Sequence, residues 1–128
     1  MGFYRSVLFL VILSRISGIQ TGAPSVSTVR KLSVKTGMSI TVPCRYDPRY
    51  INSFKYWCRG DHWSFCSTLA HTNQPEISRS VSISDDITQR IFSVTMSDLK
   101  PEDSTYYWCA VETAGRDQST YLHLSVTS

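Results

Sequence analysis

The sequence predicts an all-β fold, a sandwich or a barrel, built from about eight or nine short strands. Short segments in which apolar and polar residues alternate recur along the chain, and turn-forming residues separate them. No segment keeps a helical apolar period over a window of about eleven residues. The chain has 128 residues, enough for one domain, and its 4 cysteines suggest two disulfides in a small secreted protein.

The N-terminus predicts a secretory signal peptide over residues 1–22. Arg5 precedes the unbroken apolar run Val7–Leu13, and small residues follow that run. The run is far too short to span a bilayer. Removing the peptide also removes Arg5 and Arg15, so the formal charge falls from +3 to near +1. No run of Lys or Arg exceeds two residues, and we therefore expect no nucleic-acid partner.

The predicted domain covers residues 25–127, and its strands follow from the alternation. The segments are, in chain order, 25–29, 31–34, 39–44, 54–58, 65–70, 80–86, 90–96, 105–111 and 120–126. In the third segment Ile40, Val42 and Cys44 share one face. Asp85 and Asp86 are expected to form the turn after the sixth segment, where aspartates cap backbone amides.

The disulfide pairing follows from the directions of neighbouring side chains in a strand. Trp57 and Cys58 are adjacent, so they point to opposite faces. The larger apolar group is expected to face the core, which turns Cys58 outward. Cys44 and Cys109 both lie on inward rows and can pair beside Trp57. Cys58 can then reach only Cys66, across a short hairpin. The prediction is Cys44–Cys109 and Cys58–Cys66.

Catalytic and metal-binding functions find little support in the sequence. His62, His71 and His123 are scattered over a hairpin, a loop and the last strand, and no nucleophile elbow, phosphate loop or His-Glu-x-x-His motif occurs. The spacing from Cys58 through His62 to Cys66 is not a usual zinc pattern. We expect a protein that is not an enzyme and that has no cofactor and no metal.

The tripeptide Arg59-Gly60-Asp61 raises an adhesion hypothesis. It follows Cys58 and lies inside the ring that Cys66 would close, so the ring could present a guanidinium and a carboxylate to an integrin. Short motifs of this kind also occur by chance. The integrin-ligand function is therefore kept only as a minor alternative.

Cys44, Trp57 thirteen residues later, and the segment Asp103–Cys109 (DSTYYWC) together resemble an immunoglobulin variable-type domain. Tyr107 stands where such domains place the tyrosine-corner residue. The resemblance implies an immunoglobulin-like β-sandwich of the V-set, with two antiparallel sheets. The core residues it implies are Trp57, Tyr107, Asp103 and Leu99.

The second cysteine pair narrows the resemblance. The segments KYWCRGDHWSFC, VSISDD, FSVTMSDLKPEDS and YWCAVE are similar to the leukocyte mono-immunoglobulin-like (CMRF-like) receptors and the polymeric immunoglobulin receptor. The similarity covers roughly Val26–Val126. In that family an arginine before the VSI run pairs with the aspartate ahead of the tyrosine corner. Here that position is Ser80 and Arg79 lies one residue earlier, so a salt bridge from Arg79 to Asp103 would need a bulge.

Two further groups of residues are candidates for contact with a ligand. Trp108 and Tyr106 alternate with core residues, so they face outward; Trp108 is expected to pack on the Cys58–Cys66 bridge. The loops 45–53, 71–76 and 112–118 occupy the positions that form the recognition edge of variable-type domains. The candidate ligand-binding residues in these loops are Arg49, Tyr50, His71, Glu112, Arg116 and Asp117.

The resemblance implies the ligand-binding ectodomain of an innate immune cell-surface receptor that regulates leukocyte responses. Its ligand at the loop edge would be a protein or a phospholipid, and the domain is expected to be monomeric. We expect it on the extracellular side of the plasma membrane or secreted, with membrane attachment only through a segment outside this chain. The alternatives are a secreted soluble binder or decoy, an immunoglobulin-binding transporter domain, and the integrin ligand.

Overall fold

A computed structural model describes residues 24–74 and 77–128, and these residues form two β-sheets packed face to face. The signal-peptide prediction lies outside the described residues. The strands are, in chain order, β1 (Val26–Ser27), β2 (Lys31–Lys35), β3 (Ile40–Tyr46), β4 (Lys55–Arg59), β5 (Ser67–His71), β6 (Val81–Asp86), β7 (Ile91–Met96), β8 (Thr105–Val111) and β9 (Gln118–Thr127). The described residues include no helix long and apolar enough to cross a membrane.

The strand order is that of a V-set sandwich. One sheet has 5 strands in the order β2-β9-β8-β4-β5, and the other has 4 strands in the order β1-β3-β7-β6. The fold class predicted from the sequence is confirmed. The prediction that both sheets are antiparallel is wrong for one pair of strands, because β2 runs parallel to β9 with Leu32 opposite Leu124. The first strand is split: β1 pairs with β3 in one sheet and β2 with β9 in the other.

The core lies between the sheets and contains the inward rows of both. Trp57 and Tyr107 are fully buried, and their rings stack with centroids 5.4 Å apart. Cys44 and Cys109 are bonded beside them, with a Cα–Cα distance of 6.2 Å. Leu99 is also buried. Each core strand therefore contributes alternate residues, as the period of two requires.

Asp103 was predicted as a core residue, but the structure places it at the edge of the core, half-buried. Its carboxylate accepts a hydrogen bond from the Lys100 backbone N–H at 2.8 Å and faces Arg59 Nη1 at 3.3 Å. Its backbone carbonyl accepts the Tyr107 hydroxyl at 2.7 Å, which is the tyrosine-corner bond. A carboxylate with these partners keeps access to water, because full burial of its charge would be costly.

The partner of Asp103 is therefore Arg59, at the end of β4. Arg79, the residue considered from the sequence, is exposed in the turn before β6. An arginine from a different strand thus occupies the position of the family's salt bridge, and no bulge at Arg79 is needed.

Candidate functional site

Three loops meet at one end of the sandwich: the β3–β4, β5–β6 and β8–β9 connections. His71, at the end of β5, lies with its Nε2 3.4 Å from Glu112 Oε1, at the start of the β8–β9 loop. The Glu112 backbone N–H donates to the Phe54 carbonyl at 2.9 Å, which joins the same loop to the β3–β4 connection. Of the β5–β6 loop, Pro75 and Glu76 lie outside the described residues. The structure therefore brings the bases of these loops together.

The β3–β4 loop is ordered by a side-chain cap. Asp47 precedes a 3-10 turn over Pro48–Tyr50, and its carboxylate accepts the Arg49 backbone N–H at 3.0 Å. That hydrogen bond, with the nearby Arg49 guanidinium (Nε 3.3 Å from Oδ1), lowers the pKa of Asp47. The Arg49 side chain remains largely exposed, so this loop presents a guanidinium to solvent.

Tyr50 was predicted as a ligand-binding residue, and its burial argues against that role. It belongs to the hydrophobic core cluster and is 9% exposed. The 3-10 turn directs the ring inward, while the Arg49 guanidinium lies over it with 5.3 Å between Cζ and the ring centroid. Tyr50 therefore supports the Arg49 guanidinium from beneath.

The β8–β9 loop is held by Asp117. One carboxylate oxygen accepts the Tyr56 hydroxyl at 2.5 Å, and the other accepts the Thr113 backbone N–H at 3.1 Å. Burial of Tyr56, followed by this hydrogen bond to a negative group, raises the pKa of the Tyr56 hydroxyl. Both carboxylate oxygens of Asp117 are thus used in hydrogen bonds that hold the loop. Arg116 beside it is exposed, and its backbone carbonyl accepts the Thr113 hydroxyl at 2.8 Å.

The six candidate residues divide into three exposed ones and three that are buried or half-buried, the latter being Tyr50, His71 and Asp117. Arg49, Glu112 and Arg116 are exposed at the loop end. His71 is half-buried, where it stacks on Tyr56 with centroids 5.7 Å apart. The arrangement offers two guanidinium groups and one carboxylate on an ordered base, which suits recognition of a charged surface.

A buried ion pair lies near this end and was missed in the sequence analysis. Lys55 is fully buried, and its Nζ is 2.6 Å from Asp85 Oδ2 and 3.4 Å from the Ile51 carbonyl. The Tyr46 hydroxyl donates to the other Asp85 oxygen at 2.6 Å. Burial, together with this bond to a carboxylate, raises the pKa of Tyr46. The pair joins β4 of one sheet to β6 of the other.

The alternation of β4 contained the signal for this pair. Lys55 is two residues before Trp57, so it lies on the same inward row. Asp85 was expected in a turn, but it is still within β6. Its neighbour Asp86 does cap the following turn, accepting the backbone N–H groups of Thr88 and Gln89 at 3.1 and 3.2 Å.

The Arg59-Gly60-Asp61 tripeptide is incorporated into the sheet end. The Arg59 guanidinium donates to the Glu102 carbonyl at 2.6 Å as well as to Asp103, and the Asp61 carboxylate accepts the Thr105 hydroxyl at 3.1 Å. Gly60 has φ +153°, and a Cβ there would lie 3.1 Å from the Cys66 Cα atom. Both charged groups of the motif have hydrogen-bond partners within the domain, but Asp61 is exposed and the Arg59 side chain is 37% exposed, so the integrin-ligand alternative stays a prediction.

The hairpin from β4 to β5 carries the second disulfide, Cys58–Cys66, with a Cα–Cα distance of 5.5 Å. Trp108 is the cross-strand neighbour of Cys58, and its indole N–H donates to the Gly60 carbonyl at 2.8 Å. Trp108 thus packs against the hairpin. With both cysteines in a disulfide, neither is a thiolate available to a metal ion.

Aromatic side chains continue across the outer face of the 5-stranded sheet. Trp63 lies 6.0 Å from Tyr56 and 5.8 Å from Trp108, measured between ring centroids. Tyr121 lies 5.6 Å from Trp108 and 5.8 Å from Tyr106. We call Tyr56, Trp63, Trp108, Tyr121 and Tyr106 the outer aromatic face. Tyr106 and Tyr121 are 38% and 39% exposed, which leaves part of this face in contact with solvent.

Comparison with known proteins agrees with this architecture. Residues 27–127 match the family model of the immunoglobulin V-set domain. The sandwich, the inter-sheet disulfide and the tyrosine corner define a variable-type immunoglobulin domain. The chain belongs to the immunoglobulin V-set family.

The chain is similar to several CMRF35-like molecules. The chain is 36% identical to CMRF35-like molecule 3 of Mus musculus over 126 residues, which covers 96% of this chain and 50% of the relative. It is 40% identical to CMRF35-like molecule 7 of Homo sapiens over 91 residues, covering 69% of this chain and 45% of that protein. The chain therefore spans about half the length of these relatives or less.

A solved structure gives the same fold. The crystal structure of the polymeric Ig receptor ectodomain of a teleost fish superposes with a TM-score of 0.73 at 42% sequence identity. The superposition covers 79% of this chain and 49% of that chain. The resemblance to CMRF-like receptors and the polymeric immunoglobulin receptor, inferred from the sequence, is confirmed.

Proposed function

We propose that this domain is the ligand-binding ectodomain of an innate immune cell-surface receptor that regulates leukocyte responses. It acts by binding, without catalysis, on the extracellular side of the plasma membrane. The observation that carries the proposal is the ordered loop end, where the exposed side chains of Arg49 and Arg116 stand on loops fixed by Asp47 and Asp117. Similarity to the CMRF35-like molecules supports the receptor class.

The ligand proposed for the loop end is an anionic surface, on a phospholipid membrane or on a protein. Arginine pairs with phosphate and carboxylate groups through two parallel hydrogen bonds, which fixes their orientation. Loops that are already ordered lose little entropy on binding, so their contacts contribute more of their energy to affinity. The buried Lys55–Asp85 pair supports the same end from inside the sandwich.

Immunoglobulin binding is a second candidate. It is favoured by the 42% identity to a fish polymeric Ig receptor ectodomain. A secreted soluble form of the domain would bind the same ligand without a membrane segment, acting as a decoy.

Binding of the disulfide-intact domain to three probes tests the proposal. The probes are vesicles of phosphatidylcholine with phosphatidylserine, vesicles of phosphatidylcholine alone, and purified immunoglobulin. We expect the domain to bind either the vesicles that contain phosphatidylserine or the immunoglobulin. The double variant Arg49→Ala with Arg116→Ala should weaken that binding at least about 10-fold, because it removes charge-assisted hydrogen bonds. Lys35→Ala is the matched control, because Lys35 is an exposed cation on β2, a different part of the fold.

Two results would contradict this assignment of the binding edge. One is undiminished binding by the double arginine variant. The other is an equal loss of binding in the Lys35→Ala control, since that would reflect net charge alone.

A further inference from the structure

A second candidate site lies on the outer face of the 5-stranded sheet, beside the edge strand β2. It is an open cavity of about 570 Å³, lined by Arg30, Lys31, Tyr106, Tyr121 and His123. Tyr106 is the second residue of β8, whereas the β8–β9 loop leaves the other end of that strand. The cavity is therefore separate from the loop end.

The Arg30 guanidinium is held in place by Tyr121. Nη1 donates to the Tyr121 carbonyl at 3.1 Å, and Cζ lies 4.3 Å from the centroid of the Tyr121 ring. A stacked guanidinium has lost much of its rotational freedom before any ligand arrives. Its remaining N–H groups form a planar fork with the geometry of a carboxylate.

The charges around the cavity have one sign. Lys31 lies opposite His123 in the β2–β9 register, so an ammonium and an imidazole stand beside the guanidinium. Among the residues that the structure describes, no Asp or Glu lines this cavity. Since the chain without its predicted leader is nearly neutral, this concentration of basic groups is local.

The two tyrosines form walls that meet at an angle. The Tyr106 and Tyr121 rings are inclined at 68°, and Tyr106 also lies edge-on to His123 with centroids 4.8 Å apart. Each exposed tyrosine offers an apolar ring and a polar hydroxyl group. The volume falls within the range of small-molecule sites, roughly 300–1,000 Å³.

We propose that this cavity binds an acidic sugar: a pyranose that carries a carboxylate, at the end of a glycan. The carboxylate pairs with the Arg30 fork, with Lys31 as the second cation. The C–H face of the ring packs on a tyrosine, and the sugar hydroxyls bond to the phenolic groups. An open cavity on a sheet face suits a terminal sugar, which needs to bury only one residue of its chain.

The aromatic walls favour a sugar over a simple inorganic anion. Phosphate would satisfy the cations, but it has no apolar face for Tyr106 and Tyr121. A neutral sugar would pack on the rings and leave the guanidinium without an anion. Only a ligand that has both an anionic group and an apolar ring face contacts all the groups that line the cavity.

The test is an NMR titration of the disulfide-intact domain with the α-methyl glycoside of N-acetylneuraminic acid. We expect saturable shifts centred on the five lining residues. Arg30→Ala is expected to weaken binding roughly 10- to 100-fold, as for loss of a charge-assisted bidentate pair. Arg30→Lys keeps the charge but lacks the fork, and we expect an intermediate loss. Arg79→Ala is the matched control, because Arg79 is another exposed arginine, lies in the turn before β6 and does not line the cavity, and this variant should bind like the unchanged domain.

Methyl galactoside and inorganic phosphate are the comparison probes. The proposal is overturned if the acidic glycoside causes no saturable shifts, if Arg30→Ala binds as well as the unchanged domain, or if either comparison probe binds as tightly as the acidic sugar. Circular dichroism of each variant establishes that it is folded. Because the loop end is not involved, failure here leaves the proposed receptor function untouched.

Discussion

Lys55 places a charged group in the core of the sandwich, where nearly all the other buried side chains of the described residues are apolar. Its ammonium group is fully buried, and Asp85, whose side chain is 18% exposed, supplies the opposite charge. Removing a charge from water costs several kcal/mol, so each member of such a pair depends on the other. The Tyr46 ring adds a third contact, with its centroid 4.1 Å from Lys55 Nζ.

Asp85→Ala should lower the free energy of unfolding by about 3–5 kcal/mol, because it leaves the Lys55 charge buried without its partner. Urea unfolding monitored by fluorescence measures this change. Asp86→Ala is the control at the adjacent position, and its loss of a turn cap should cost only about 1 kcal/mol. The double variant Lys55→Met with Asp85→Leu should recover much of the lost stability. Equal losses in the free energy of unfolding for Asp85→Ala and Asp86→Ala would show that the buried pair stabilises the domain no more than a turn cap does.

At the scale of elements, the β4–β5 hairpin is connected to the sheet in several ways. Cys66 closes a loop of 8 residues onto Cys58, Trp108 bonds the Gly60 carbonyl, and Arg59 reaches Glu102 and Asp103. The inter-sheet bridge closes a much longer loop of 65 residues. In the chain-entropy account, the stabilisation from a disulfide grows with the length of this loop.

Replacing Cys58 and Cys66 by alanine should therefore lower the free energy of unfolding by about 2.5 kcal/mol. Replacing Cys44 and Cys109 in the same way should cost about 4 kcal/mol or more, since it also opens a space in the core. Urea titrations of the two double variants make the comparison, and amide exchange should show faster opening of β5 only in the first. A larger loss from the hairpin pair than from the inter-sheet pair would contradict this ranking.

The alternation of side chains made the strands and the inward direction of Trp57 predictable. The same rule would have placed Lys55 in the core, but a lysine there contradicts the expectation from its charge. The sequence around Asp85 does not indicate that this residue pairs with Lys55, since the two residues meet only when the sheets pack. Arg59 and Asp103 lie 44 residues apart in the sequence, so their pairing could not be predicted from either segment alone. Tyr50 looked exposed because its neighbours are polar, and only the 3-10 turn directs it inward.

Across the whole molecule, several tyrosine hydroxyl groups are shielded from water, and they occur in both sheets. Burial raises the pKa of Tyr107 from 10.0 to about 12, with Asp103 adding to the effect and Arg59 opposing it. Burial and a carboxylate partner also raise the pKa of Tyr46 and of Tyr56. The native state thus holds protons that the unfolded chain releases above a pH of about 10.

The contribution of these tyrosines to the free energy of unfolding should consequently be constant below about pH 10. It should fall as the pH rises further. Each fully buried phenol contributes a slope of up to about 1.4 kcal/mol per pH unit, until the pH reaches its native pKa. Urea unfolding between pH 9 and 12 tests the prediction. Tyr107→Phe should flatten the slope, because it removes one of the phenols whose pKa the native state raises. A stability that rises with pH in this interval would contradict the sign of the effect.

The parallel pairing of β2 with β9 also decides how the domain resists a pulling force. The two strands are hydrogen-bonded side by side along Lys31–Lys35 and His123–Thr127, and they lie near opposite ends of the domain sequence. Tension applied between those ends slides one strand along the other, so the bonds between them are strained together. Strands peeled apart from one end would instead lose their bonds one after another at low force. A domain tethered at its C-terminus and drawn by its N-terminal strand would accordingly yield abruptly, at a high rupture force.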